Sequence, residues 1–104
     1  MTLEIQKKVA AFVEKHGMEN PLPIHLLDLH SELGELSREL LKSSAYGLTS
    51  FTPGARWHDE LGDVLFSLIC VANSTGVDLE HALDMAMQKY ASRIARKGDP
   101  GSGE

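Results

Sequence analysis

The chain is expected to fold as an all-α protein, a four-helix-bundle-like subunit. Three observations lead there. Leucines and other apolar residues recur at helical spacing through long segments. Short runs rich in glycine and proline separate those segments. No stretch shows the strict alternation of a half-buried strand.

The first helix is expected over residues 3–16, with Leu3, Ile5, Val9, Phe12 and Val13 on one apolar side. Gly17 ends it, and Asn20, Pro21, Leu22 and Pro23 form the link. Its apolar side can pack within the subunit or across a partner. The second helix is expected over residues 24–44, where Leu26, Leu29, Leu33, Leu36 and Leu40 repeat at helical spacing. Residues 46–54 read as a loop, punctuated by Gly47, Ser50, Pro53 and Gly54. The third helix, residues 55–75, has a wide apolar face formed by Trp57, Leu61, Val64, Leu65, Leu68, Val71 and Ala72, and Gly76 is a fitting stop. The fourth covers residues 79–97, with Asp78 as N-cap and Glu80 in its first turn. Leu79, Ala82, Leu83, Ala86, Met87 and Tyr90 are expected to form its buried side. One domain, residues 1–98, follows from the length, with a disordered tail at 99–104.

A domain of 104 residues buries a limited core alone, so association with further copies is expected. The net charge of -5 argues against binding to a nucleic-acid polymer, which calls for a basic face. It leaves room for a nucleotide substrate, because a bound cation can bridge an acidic site to phosphates. Cys70 is the single cysteine, so no internal disulfide can form, and a reducing cytoplasm is the expected home. Cys70 lies in an apolar run and is expected in the core. The apolar run at 9–13 is ended by Glu14 and Lys15, too early for a secretory signal. No apolar stretch is long enough to span a bilayer, so no membrane partner is expected.

Two segments repeat one pattern: Glu32-Leu33-Gly34-Glu35-Leu36 and Glu60-Leu61-Gly62-Asp63-Val64. On a helix at about 100° per residue, each acidic pair borders its apolar arc at the same angular offset. If the two helices pack side by side, four carboxylates converge at the edge of their seam. Gathered carboxylates repel one another and resist ionisation. A hard divalent cation such as Mg²⁺ relieves this, and it polarises phosphoryl oxygens. Either pair alone is more simply a solvated helix face; the matched contexts favour a metal site. Gly34 and Gly62 each cost a helix about 1 kcal/mol relative to alanine, which points to close packing or a constraint at the site.

Glu32-x-x-Glu35 followed by Glu60-x-x-Asp63 resembles the signature of the MazG-like nucleotide pyrophosphohydrolases, the all-α NTP pyrophosphatases. Residues 59–66 and 76–83 resemble the same family, as does Lys89-Tyr90-x-x-Arg93 late in the last helix. The resemblance extends over roughly residues 26–96. It implies hydrolysis of nucleoside triphosphates between the α- and β-phosphates, giving a nucleoside monophosphate and pyrophosphate. It implies Mg²⁺, or Mn²⁺ in its place, held by Glu32, Glu35, Glu60 and Asp63, with phosphate contacts from Lys89 and Arg93. It implies a dimer or a dimer of dimers, with sites where helices of two subunits meet. Many members carry a tyrosine where this chain has Ser67, so the pocket there is expected to be roomier or wetter. Trp57, Tyr46 and Phe51 are then candidates to stack on the base.

Asp28 and Glu39 extend the acidic stripe and are more simply solvated. The histidines 16, 25, 30, 58 and 81 form no His-x-x-x-His pair and no Glu-x-x-His, which removes zinc-protease and di-iron readings. No P-loop is present. Two other functions stay open: a non-enzymatic helical module that binds a cation or a basic partner, and a phosphoribosyl-ATP pyrophosphatase-like hydrolase.

Overall fold

The computed structural model describes the backbone of residues 2–102 and the side-chain environments of residues 4–102. The expected place of Leu3 on the apolar side and the last two tail residues lie outside that description. Among the described residues there are four α-helices and no strand: α1 Thr2–Lys15, α2 Leu22–Ser43, α3 Ala55–Ser74 and α4 Leu79–Lys97.

The ends of the helices follow from local chemistry. α2 opens with Pro21 as N-cap and Pro23 in its first turn. Proline costs nothing there, because the first N–H groups have no partner within the helix. α3 closes in a left-handed turn at Gly76, φ +68°, where Val77 N–H donates to the Ala72 carbonyl at 3.0 Å and Gly76 N–H to that of Asn73 at 3.4 Å. Two residues later the Asp78 carboxylate accepts from the N–H groups of Glu80, 2.9 Å, and His81, 3.3 Å, and so starts α4. The loop after α2 turns through Ala45 and Tyr46, both at positive φ. Ser44 Oγ, which donates to the Leu40 carbonyl at 2.8 Å and accepts from Gly47 N–H at 3.1 Å, fixes this turn.

α2 and α3 form the main helix pair; α1 packs on α3, and α4 chiefly on α1. α1 therefore packs within its own subunit. Val13 is buried, and the Phe12 ring meets Phe66 edge-on at 6.0 Å. Gln6 links three elements. It is buried, donates to Asn73 Oδ1 at 3.1 Å and to the Val77 carbonyl at 2.8 Å, and accepts from Leu79 N–H at 2.9 Å. Asn73 returns a bond to the Gln6 carbonyl at 3.0 Å. One side chain of α1 thus caps the start of α4 and holds the α3–α4 turn.

The four helices of one subunit form an open arrangement rather than a closed bundle. α3 and α4 meet at 101°. The radius of gyration is 16.8 Å, against about 13 Å for a compact domain of this length. The buried apolar core is small: Val13, Ile69, Cys70 and Ala72. The expected buried side of α4 is only partly covered: Leu79, Ala82 and Ala86 are half-buried, while Leu83, Met87 and Tyr90 are exposed. Leu33 and Leu40 on α2, and Leu61, Leu65 and Leu68 on α3, are also exposed. The helices have the expected amphipathic faces, but one subunit lacks the elements to cover them.

Residues 99–102 extend the chain beyond α4. They are irregular, but Arg93 Nη1 donates to the Pro100 carbonyl at 3.2 Å, and Lys97 lies 3.6 Å from Asp99. No single helix among the described residues is long and apolar enough to cross a membrane.

Candidate active site

The α2–α3 pair is antiparallel, and its register can be read as a ladder of facing residues. At one end Arg56 Nε lies 3.8 Å from Glu39 Oε1. Next, Glu60 lies in the field of Glu35, and Glu32 in the field of Asp63. Asp28 and Ser67 then line one cavity, and His25 and Cys70 share a wall beyond them. Descending α2, the steps are four, three, four and three residues; α3 takes the same steps in the opposite direction. This is the alternation that keeps two helices facing along a seam.

Glu32 and Glu60 are half-buried beside this seam, and Glu35 and Asp63 are exposed. Burial, followed by the charges of Asp63, Glu60, Glu35 and Asp28, holds the Glu32 carboxyl above its ordinary value of 4.5. Glu60 is raised too, by burial and then by Asp63 and Glu35, with Arg56 pulling the other way and Asp59 adding a little. Glu32 and Glu60 therefore lie in the fields of Glu35 and Asp63, with like charge facing like charge across the seam.

All-oxygen donors of this kind suit Mg²⁺ or Mn²⁺, and the mutual repulsion gives a cation reason to bind. Among the described residues no three such side chains are drawn into a ready-made metal cage.

The other predicted site residues lie elsewhere. Lys89 Nζ sits 5.2 Å from the centre of the Tyr90 ring, and Arg93 holds Pro100. Both belong to α4, which packs chiefly on α1. Of the candidate stacking rings, Trp57 and Phe51 are half-buried against each other, centres 4.9 Å apart, and Tyr46 is exposed at the surface. A Cβ added at Gly34 or Gly62 would meet nothing within 4 Å, so the close packing suggested for these glycines is absent from the subunit. Cys70 is buried as expected, and burial, then Asp28, pushes its thiol up.

The sequence did not single out His25; Asp28, expected to be solvated, is exposed and lines both cavities. Only the register of α2 against α3 brings these residues together: four residues beyond the acidic pairs lie Asp28 and Ser67, and three further His25 and Cys70.

Residues 24–96 match the model of the MazG nucleotide pyrophosphohydrolase domain. Protein YpjD of Bacillus subtilis (strain 168), uncharacterized, is 37% identical over 93 residues, covering 86% of this chain and 79% of YpjD. The crystal structure of the Bacillus-conserved MazG protein, a nucleotide pyrophosphohydrolase, superposes with a TM-score of 0.72 at 34% identity, covering 86% of this chain and 88% of that one. The crystal structure of YpjD gives 0.73 at 32% identity, over 86% and 94% of the two chains. Four helices with paired acids on an antiparallel seam define an all-α pyrophosphohydrolase fold. The chain belongs to the MazG nucleotide pyrophosphohydrolase family.

Proposed function

We propose that this chain is a Mg²⁺-dependent nucleoside triphosphate pyrophosphohydrolase, with Mn²⁺ able to substitute, that cleaves between the α- and β-phosphates. The observation that carries the reading is the register of α2 against α3, which brings the Glu32/Glu35 pair to the Glu60/Asp63 pair within the stretch that matches the MazG domain. A cluster of like charges at the border of a helix seam is poised for a cation and, with it, for polyphosphate.

Glu32, Glu35, Glu60 and Asp63 would hold the metal, which would supply charge to offset the phosphates and to polarise the oxygen on the α-phosphorus. One of these carboxylates, or a neighbour, orients or deprotonates the attacking water. The water oxygen forms a bond to the α-phosphorus, and the bond to the bridging oxygen breaks. A nucleoside monophosphate and pyrophosphate leave.

The working form is a homodimer or a dimer of dimers. The exposed leucines of α2, α3 and α4 support this, since they outnumber the apolar residues buried within the subunit. Lys89 and Arg93 on α4 then reach phosphates bound at a neighbouring copy. Removal of non-standard or surplus nucleotides from the cytoplasmic pool follows as the role.

Pyrophosphate release from canonical and modified nucleoside triphosphates, with and without Mg²⁺, tests the proposal. Metal-dependent release is expected, falling by about 10²-fold or more in Glu35→Gln and Asp63→Asn with helicity and assembly retained. No release from any triphosphate would overturn it. Release from phosphoribosyl-ATP alone would move the substrate to that related class.

A further inference from the structure

The polar ladder of the α2–α3 seam continues beyond the carboxylates into a slot. Two cavities, of about 180 and 300 Å³, share the walls Met18, Asp28, Phe66 and Ser67. One reaches Glu32 and the other His25 and Cys70. Together they lie at the small end of the range for ligand pockets, roughly 300–1,000 Å³.

Two side chains in this slot lack the partners that buried polar groups ordinarily have. Ser67 and His25 are each 8% exposed, and neither side chain hydrogen-bonds to any described residue. Ser37, Ser44 and Ser74 on the same helices or at their ends all donate to the carbonyl four residues back; Ser67 does not. No described side-chain polar atom is wholly buried without a partner, so the Ser67 hydroxyl and the His25 ring nitrogens keep some access to solvent, and both residues line the cavity.

We propose that this slot receives the base of the nucleotide, and that it favours a base carrying an exocyclic amino group. The inference rests on the reading above, in which the triphosphate lies at the four acids. From Glu32 down α2 to His25 is seven residues, about 10 Å of helix, within the reach of a nucleoside. Polarity along the seam follows from charge. Arg56 is the cation at the opposite end, beyond Glu60, and it suits the outer phosphates. Phe66 and Met18 offer apolar surface to the flat faces of a ring. His25 and Ser67 each can donate or accept at the ring edge. Asp28 only accepts when ionised, which matches an amino group and repels the carbonyl of uracil or thymine at the same position. The charge of Asp28 is felt by both Glu32 and Cys70, as its place between the two cavities requires.

The test compares pyrophosphate release from dATP, dCTP, dTTP and dUTP by the wild type, Asp28→Asn and Ser67→Leu, with inorganic tripolyphosphate as a base-free competitor. Wild type should prefer dATP or dCTP to dTTP and dUTP by about tenfold or more in kcat/KM. Asp28→Asn, nearly isosteric and on an exposed residue, should shrink that ratio to about threefold or less. Ser67→Leu fills the slot and should raise KM about tenfold, with tripolyphosphate inhibiting variant and wild type alike. Should Ser67→Leu fail to fold, Asp28→Asn decides alone. An active wild type that prefers dTTP or dUTP, or shows no preference, overturns the inference. So does a preference untouched by Asp28→Asn, or a loss of tripolyphosphate inhibition in step with nucleotide affinity in a folded Ser67→Leu. An inactive wild type overturns the underlying reading instead, so the two failures are distinct.

Discussion

At the scale of single residues, the carboxylates of the seam are held in a state that the folded chain itself disfavours. Glu32 and Glu60 both have folded values above the ordinary 4.5. A folded carboxyl raised in this way binds protons more readily than its unfolded counterpart. Its contribution to stability is complete below 4.5 and is lost as pH rises through the folded value. In metal-free protein, Glu32→Gln should therefore cost less at neutral pH than at pH 4, and can stabilise there. Thermal unfolding of wild type and variant in EDTA across that range measures the difference. Millimolar Mg²⁺ should raise the wild-type Tm near neutrality and have a smaller effect on Glu32→Gln. Equal shifts in both proteins would show that the cation binds elsewhere.

Among the elements, α1 has more influence than its position at the edge of the fold suggests. Gln6 supplies hydrogen bonds to the end of α3, the turn and the start of α4. Gln6→Leu leaves Asn73 Oδ1, the Val77 carbonyl and the Leu79 N–H in need of new partners. The expected cost is about 2–3 kcal/mol by urea denaturation, with faster amide exchange at Leu79. Gly34 and Gly62 have open space beside them. Alanine at either position should raise subunit stability by up to about 1 kcal/mol. If a neighbouring copy fills that space, the same substitution weakens assembly, and sedimentation of the variants shows which holds. The first half of this pattern was legible in the sequence, because mid-helix glycines between paired acids are conspicuous. Their surroundings were not, because helical periodicity carries no record of what approaches from outside.

For the whole molecule, the surface left open is the dominant feature. Residues 64–72 of α3 are apolar except Ser67, so the helix is apolar nearly all round and calls for cover on more than one side. α1 and α2 cover one side, and Leu65 and Leu68 remain exposed. α4 presents Leu83 and Met87, each more than half exposed. Light scattering should give a mass of two or four chains for the wild type. Leu83→Glu with Met87→Glu should lower that mass, and activity with it if Lys89 and Arg93 act on a neighbouring copy's phosphates. A wild type that runs as a monomer at micromolar concentration would count against the assembly proposed here.

The sequence by itself determined the four helices, their capping residues Asp78 and Gly76, and the two acidic pairs, because helix period, N-cap chemistry and left-handed glycine turns are local effects. It also placed the acids on the border of the apolar arcs, since three-residue spacing on a helix has that consequence whatever the neighbours. Only the tertiary structure decided that Ile69, absent from the expected apolar arc, is the most buried apolar side chain among the described residues. In a helix apolar nearly all round, period does not single out a face. The structure alone also set the register of α2 against α3, which brings Asp28 and His25 to Ser67 and Cys70. Register depends on how two surfaces interlock, and neither helix carries that information alone.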